Sequence, residues 1–147
     1  MNERYLFRGK GRDYNGSEFW VTGYLHKTRT KTLIQPTDLF PSEVIPETVG
    51  QCTGLKDKNG KLIFEGDLLR FTNDDGEQSI YKVFYDDVYA GWRIGEVNCG
   101  AIDEMSDWEN YREYFEVIGN IHDNPNLCRI EHDSLCETKN YKAGDEE

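Results

Sequence analysis

The fold of this chain is decided by residues 49–71, which read VGQCTGLKDKNGKLIFEGDLLRF. Apolar stretches on either side of residues 57–60 predict two strands joined by a tight reversal. Asn59 and Gly60 accept a positive φ at low steric cost, and a tight hairpin turn requires that conformation. Beyond the turn, apolar and polar residues alternate until Gly66, where the alternation changes phase. A glycine at such a point indicates a bulge or a sharp bend, so we expect a bent strand after the hairpin.

Other short strands are predicted on both sides of this hairpin. Apolar, β-branched and aromatic residues separated by turn residues occur at 5–8, 18–25, 32–34, 78–85, 92–94 and 114–121. Short strands at this spacing are typical of a barrel or a sandwich, and a bent strand allows a small barrel to close. The strand at 18–25 is apolar on both faces, which favours burial on both sides or a position in an interface. We therefore expect a mainly β protein.

The remaining segments predict loops and short helices. Glycine-rich residues 9–17 predict a loop. Residues 35–47 contain Pro36, Pro41 and Pro46, which predict an irregular crossover. Four apolar residues are expected to pack this crossover against the barrel: Leu39, Phe40, Val44 and Ile45. Residues 103–114 predict a helix, because Ile102, Met105 and Trp108 recur at helical spacing and Ser106 and Glu109 have capping-box spacing. Asn124 followed by Pro125 predicts the start of another helix.

Three motifs occur in the chain in a fixed order. They are LFRGK at 6–10 followed by WVTGY at 20–24, the central residues 51–67, and EVIGNIHDNPNL at 116–127. Together they resemble the YopX family, small proteins of phages and prophages, over about residues 3–128. Cys52 departs from the resemblance, because the family usually has an aromatic residue there. The resemblance implies a mainly β protein that contains an SH3-type β-barrel, with additional N-terminal strands and one or two short helices. It implies no assigned reaction.

The length of 147 residues is typical of one domain, or of one domain with an appended subdomain. We expect a single YopX-like domain at 1–136. Residues 49–128 would contain the barrel, and residues 1–48 would supply the N-terminal strands and the crossover. Residues 137–147 lack apolar periodicity and are expected to form a mobile tail.

Charge is distributed unevenly along the chain. There are 28 acidic and 17 basic residues, a net charge of −11, yet residues 1–31 carry a net +4, which leaves −15 for the rest. An acidic surface repels the phosphate backbone, so nucleic-acid binding is disfavoured over most of the molecule. No apolar run approaches the roughly 20 residues of a membrane span. The four cysteines, without a secretion signal, are expected to be reduced thiols, which predicts a cytoplasmic location in a bacterial host.

A basic turn close to two aromatic residues is the predicted interaction surface. Its members are Trp20, Tyr24, Lys27, Arg29 and Lys31. Basic and aromatic residues that alternate in this way are suited to single-stranded nucleic acid. They are equally suited to an acidic face of a neighbouring subunit.

No metal, cofactor or catalytic residue is predicted. Cys128, His132 and Cys136 have helical spacing, but the two cysteines would lie about 12 Å apart along a helix, too far to bind one ion. His122 has no nucleophile partner in the sequence that would make it a general base.

Two classes of function follow from these observations. The first is a phage-encoded accessory protein that acts as a non-enzymatic protein-interaction module, a homo-oligomer with a host or phage protein as a further partner. The alternative is a nucleic-acid-linked role. It would act either through weak binding by the basic N-terminal loop or through acidic mimicry of DNA toward a host protein.

Overall fold

The computed structural model describes residues 3–128, and in this part of the chain the protein is mainly β with antiparallel pairing. Two compact units divide it, Met1–Gly54 and Leu55–Glu147. The division falls within one strand of the central stretch. The predicted mobile tail and the end of the predicted domain at residue 136 lie outside the described residues. None of the described helical segments is long or apolar enough to cross a bilayer.

The first unit is an antiparallel sheet with the strand order β4-β3-β2-β1-β5. Its strands are β1 Phe7–Arg12, β2 Glu18–Lys27, β3 Thr32–Gln35, β4 Ser42–Glu43 and β5 Gly50–Lys56. The predicted loop at 9–17 is wrong in its first half. Gly9 and Gly11 lie within β1, where they pair with Val21 and Phe19. Cross-strand pairing to β2 therefore overrides the local preference of glycine for turns.

A small core holds the first unit together. Val21, Ile34 and Val44 are buried, and Phe7, Leu25 and Val49 pack against them. Residues 21 and 25 share one face of β2, as the alternation of side chains along a strand requires. The other face of β2 carries Trp20 and Tyr24.

The second unit contains a five-stranded antiparallel sheet with the order β10-β9-β8-β7-β11. Before it come the end of β5 and strand β6, which form a hairpin. The strands are β6 Leu62–Phe64, β7 Asp67–Thr72, β8 Gln78–Asp86, β9 Gly91–Glu96, β10 Ile102–Glu104 and β11 Phe115–Asn120. The buried core of this unit consists of Ile63, Leu69, Val83, Ile94, Met105, Trp108 and Phe115.

The helix predicted at 103–114 is wrong. Its residues form β10 and two short 3₁₀ turns, Trp108–Asn110 and Arg112–Tyr114, and Ser106 bonds Glu104 rather than Glu109. Met105 and Trp108 are buried because both fill the core of the unit, and this burial produces the spacing that suggested a helix. A further 3₁₀ turn, Pro125–Cys128, begins after Asn124, and two others, Glu3–Tyr5 and Pro46–Thr48, lie in the first unit.

Neither sheet closes into a barrel among the described residues. The outer strands of the five-stranded sheet, β10 and β11, each have one neighbour in the ladder. The prediction of a mainly β protein is confirmed, and the strands form two antiparallel sheets.

Three hairpin turns share one sequence pattern, in which an Asp or Asn is followed three residues later by a glycine. They begin at Asp13, Asp57 and Asn73, and Gly16, Gly60 and Gly76 have φ of 86°, 83° and 84°. In each turn the glycine N–H bonds the first residue's carbonyl, and that residue's side chain accepts two further backbone N–H groups. The side chain thus satisfies donors that the reversal leaves without a ladder partner.

The central hairpin differs from the expectation in two details. Asn59 does not have a positive φ, because a single left-handed residue, Gly60, completes this longer turn. Gly66 has a φ of 89°, and it lies in the two-residue turn between β6 and β7 rather than within one bent strand. Its N–H bonds the carbonyl of Val83, and its own carbonyl accepts from Ile121, so backbone contacts on both sides fix the bend.

Asp57 connects the central hairpin to the rest of the second unit. Its carboxylate accepts from the N–H groups of Asn59, Lys61 and Val117 at 2.8–2.9 Å, although its side chain is almost fully buried. The Arg112 guanidinium donates to the Asp57 carbonyl. The carboxylate thus joins the turn to β11 and satisfies its own buried oxygens.

Candidate functional site

The predicted interaction residues are spread along the β2–β3 hairpin and do not form one cluster. Trp20 and Tyr24 are half-buried on one face of β2. Lys27 is on the opposite face at the end of the strand, about 23 Å from Trp20 at the usual rise per residue. Arg29 and Lys31 belong to the exposed hairpin tip, where Lys31 lies 3.9 Å from Glu43. The basic tip and the aromatic pair are therefore separate surfaces.

The cations that lie beside Trp20 come from β1 and not from the basic tip. Lys10 is directly opposite Trp20 in the ladder, and Arg8 and Arg12 are two residues to either side. The guanidinium of Arg8 lies 4.9 Å from the centre of the Trp20 ring, and the Lys10 ammonium lies 5.6 Å from it. These are cation–π distances. Sequence reasoning missed this row, because only the register between β1 and β2 brings it to Trp20.

Glu18 neutralises part of this cationic row. Its carboxylate accepts from Lys10 Nζ at 3.0 Å and from Arg12 at 2.9 Å. The hydrogen bond from Arg12, followed by that from Lys10, holds the pKa of Glu18 below its usual value. The face is thus a paired, ordered surface in which the Trp20 ring is already in contact with cations.

The clearest exposed apolar feature of the first unit is the pair Leu39 and Phe40. Their exposed fractions are 70% and 90%, so the prediction that they pack against the sheet is wrong. Val44, from the same segment, is buried as predicted. The amide of Gln35 donates to the carbonyls of Pro36 and Leu39, which gives the loop a defined shape. We name Leu39 and Phe40 the loop pair.

The described residues contain no group of three or more His, Cys, Asp or Glu side chains that could hold a metal ion. Cys52, Cys99 and Cys128 are free thiols. Burial raises the pKa of the Cys128 thiol, which disfavours the thiolate that a metal would need. His132 and Cys136 lie outside the described part of the chain.

Comparison with known proteins agrees with the three sequence motifs. Residues 8–129 match the family described as YopX protein. The chain belongs to the YopX family. One similar solved structure is the crystal structure of protein EF1440 from Enterococcus faecalis, at 25% identity and a TM-score of 0.46. The match covers 84% of this chain and 98% of that one. No similar protein was found among curated proteins.

Several residues of the central and C-terminal motifs of this YopX-family chain fix the backbone geometry. The central motif contains Asp57 and the positive-φ Gly60 and Gly66. In the C-terminal motif, the Asn120 side chain accepts from the N–H groups of His122 and Asp123. Beside it, Gly119 has no room for a Cβ, which would lie 2.2 Å from Asn124 Oδ1. The N-terminal motif differs from these two, because it contains Arg8, Lys10 and Trp20 of the cationic face.

Proposed function

We propose that this YopX-family chain is a phage-encoded accessory protein that acts as a non-enzymatic protein-interaction module and associates with copies of itself. The loop pair carries this proposal. Two large apolar side chains are exposed to water in a loop whose shape the hydrogen bonds of the Gln35 amide define. Apolar side chains exposed in this way mark protein contact sites when they lie together.

Covering the loop pair would favour association, although it would not suffice without further contacts. Full burial of one Leu or Phe side chain contributes about 1.5–3 kcal/mol. The charge distribution supports a second copy as the occupant, because residues 1–31 carry +4 and the remainder −15. The loop pair and the basic residues belong to the same unit. A head-to-tail contact would therefore join an apolar anchor to complementary charge.

An SH3-type arrangement of the second unit is part of the proposal. Strands β7 to β10 form a meander, 3₁₀ turns follow, and β11 returns to pair with β7. Such a scaffold presents loops and grooves on a rigid sheet, which suits binding.

The association can be tested by light scattering. We expect the wild-type protein to have a mass of at least twice 17.1 kDa at micromolar concentration. The double variant Leu39→Ser/Phe40→Ser should be monomeric, since it removes the apolar anchor. At a dilution where the wild type is also monomeric, its melting temperature should match that of the wild type, because neither side chain is buried.

A matched control removes an equally exposed aliphatic and aromatic pair elsewhere. Tyr14 and Val88 are 97% and 84% exposed and lie in other turns. The Tyr14→Ser/Val88→Ser variant should keep the wild-type mass. A monomeric wild-type protein, or equal loss of mass in both variants, would contradict the proposal.

The nucleic-acid alternative leads to a second prediction. Arg8 and Lys10 already contact the Trp20 ring, so a base that stacked on the side they occupy would have to displace them. Lys27, Arg29 and Lys31 would neutralise about three phosphates, which gives a log–log salt slope of only about −2 to −3. We expect no duplex binding at physiological salt in a fluorescence-anisotropy titration. Submicromolar binding that disappears in a Lys27/Arg29/Lys31 triple alanine variant would instead establish the nucleic-acid role.

A further inference from the structure

The second unit contains an open pocket with a volume of about 390 Å³. It lies on the inner side of the five-stranded sheet, beside the edge strand β10. Its walls are aromatic and come from β7, β8, β11 and the 3₁₀ segment: Phe71, Tyr81, Trp108, Tyr111 and Phe115. The volume is at the small end of the range for ligand pockets, so it suits one side chain rather than a large cofactor.

Four of the five aromatic walls are held in place by contacts with one another. The Phe115 ring centre lies 4.7 Å from that of Trp108, 5.0 Å from that of Phe71 and 5.7 Å from that of Tyr81. The Trp108 indole N–H donates to the carbonyl of Lys56 at 2.8 Å, which fixes the orientation of the ring. The pocket is therefore formed before any ligand enters, and its aromatic faces do not need to be reorganised.

Two carboxylates give the pocket a negative potential. Asp103 lines it and pairs in the ladder with Ile94, and Glu96 pairs with Tyr81 on the same side of the sheet. Within residues 3–128, neither carboxylate has a basic partner, whereas the neighbouring Glu104 is ion-paired with Arg93. Burial, followed by the charges of Glu96 and Asp103, raises the pKa of Tyr81 to about 12. The same negative charges would attract a cation that entered the pocket.

Aromatic faces with carboxylates at the rim select an organic cation. The quadrupole of the rings attracts positive charge, and a guanidinium can stack on a ring while it donates to a carboxylate. An anion would be repelled by Asp103, and a neutral ligand would leave that charge without a partner. We infer that this pocket binds an arginine side chain from a partner protein, between the aromatic walls and Asp103. The pocket lies wholly in the second unit and does not involve the loop pair.

A titration with short peptides tests this inference on the full chain. The probe is acetyl-Gly-Arg-Gly-amide, and the matched control contains citrulline, which has the shape of arginine without its charge. We expect the arginine peptide to shift the NMR signal of the Trp108 indole N–H and to bind at least about tenfold more tightly than the citrulline peptide.

Two variants locate the binding. Asp103→Asn removes the charge at an exposed strand position, and Tyr111→Leu removes one half-exposed aromatic wall. Each should weaken binding of the arginine peptide by about tenfold while the NMR spectrum stays that of a folded protein. Asp87→Asn, an equal change of charge in the β8–β9 turn, should leave the affinity unchanged.

Several outcomes would overturn the inference. They are absence of binding, equal affinity for the citrulline peptide, and an unchanged affinity in Asp103→Asn. Binding of tetramethylammonium without binding of the arginine peptide would also overturn it, because the occupant would then be a free organic cation. Since monomeric protein and a short peptide suffice, failure of this test is distinct from failure of self-association.

Discussion

Replacing Asp57 by alanine should lower the free energy of unfolding by about 3–5 kcal/mol. The carboxylate is almost fully buried and accepts three backbone N–H groups, two within its own turn and one from Val117 on β11. Alanine would remove the acceptor of all three donors from a side-chain position that is almost fully buried. Each hydrogen bond to a charged group contributes about 1.5–3 kcal/mol, and the three are not independent. Urea unfolding followed by circular dichroism measures the loss.

The turn at Asp13 is a natural control for this substitution. Its carboxylate makes the same two turn bonds, to the N–H groups of Asn15 and Ser17, but it is exposed. Asp13→Ala should therefore cost only about 1 kcal/mol, since water replaces the lost acceptor. If Asp57→Ala cost no more than Asp13→Ala, burial and the bond to Val117 would not be what makes Asp57 important.

The turn chemistry of this chain could be predicted from the sequence, because it depends on local residues. The turns around Gly60 and at 73–76 follow from an Asx residue and a glycine at fixed spacing. The mainly β character follows in the same way from short segments bounded by such turns. These features need no knowledge of which strands pair.

The helix expected at 103–114 shows where local reasoning fails. Ile102, Met105 and Trp108 have helical spacing, yet Met105 and Trp108 are buried against strands distant in sequence. A short apolar pattern does not distinguish a helix from a strand followed by a 3₁₀ turn. Tertiary packing decides between them, and a single sequence does not contain that packing in readable form.

The candidate sites depend on the same long-range information. Arg8 and Lys10 reach Trp20 only through the register of the first hairpin. The pocket proposed to bind arginine is lined by residues from Phe71 to Phe115, which are far apart in sequence. In the sequence, its aromatic residues cannot be distinguished from ordinary core residues. Leu39 and Phe40 were expected to be packed because they are apolar. Nothing in the neighbouring sequence indicated that the loop exposes them to solvent.

The second large effect is expected at Gly23, on β2. A Cβ built there would lie 2.2 Å from the carbonyl oxygen of Gln35 and 2.8 Å from the nitrogen of Pro36. Both atoms belong to the backbone, so no side chain can rotate away to make room. Strands β2 and β3 would have to separate next to the pair formed by Tyr24 and Gln35. We expect Gly23→Ala to lower the free energy of unfolding by about 3 kcal/mol or more.

The control for Gly23 is a strand glycine with ordinary space around it. At Gly91, the nearest atom to an added Cβ is the carbonyl oxygen of Tyr89, at 3.8 Å, so Gly91→Ala should change stability by less than about 0.5 kcal/mol.

Amide hydrogen exchange can locate the effect, because the loss at Gly23 should first appear at Leu25 and Ile34, which pair across the separated strands. If Gly23→Ala melted like Gly91→Ala with protected amides at both positions, β2 and β3 could not approach as closely as described. The close approach also sets the start of the segment that presents Leu39 and Phe40. A folded Gly23→Ala protein should therefore lose self-association along with the protection of β3.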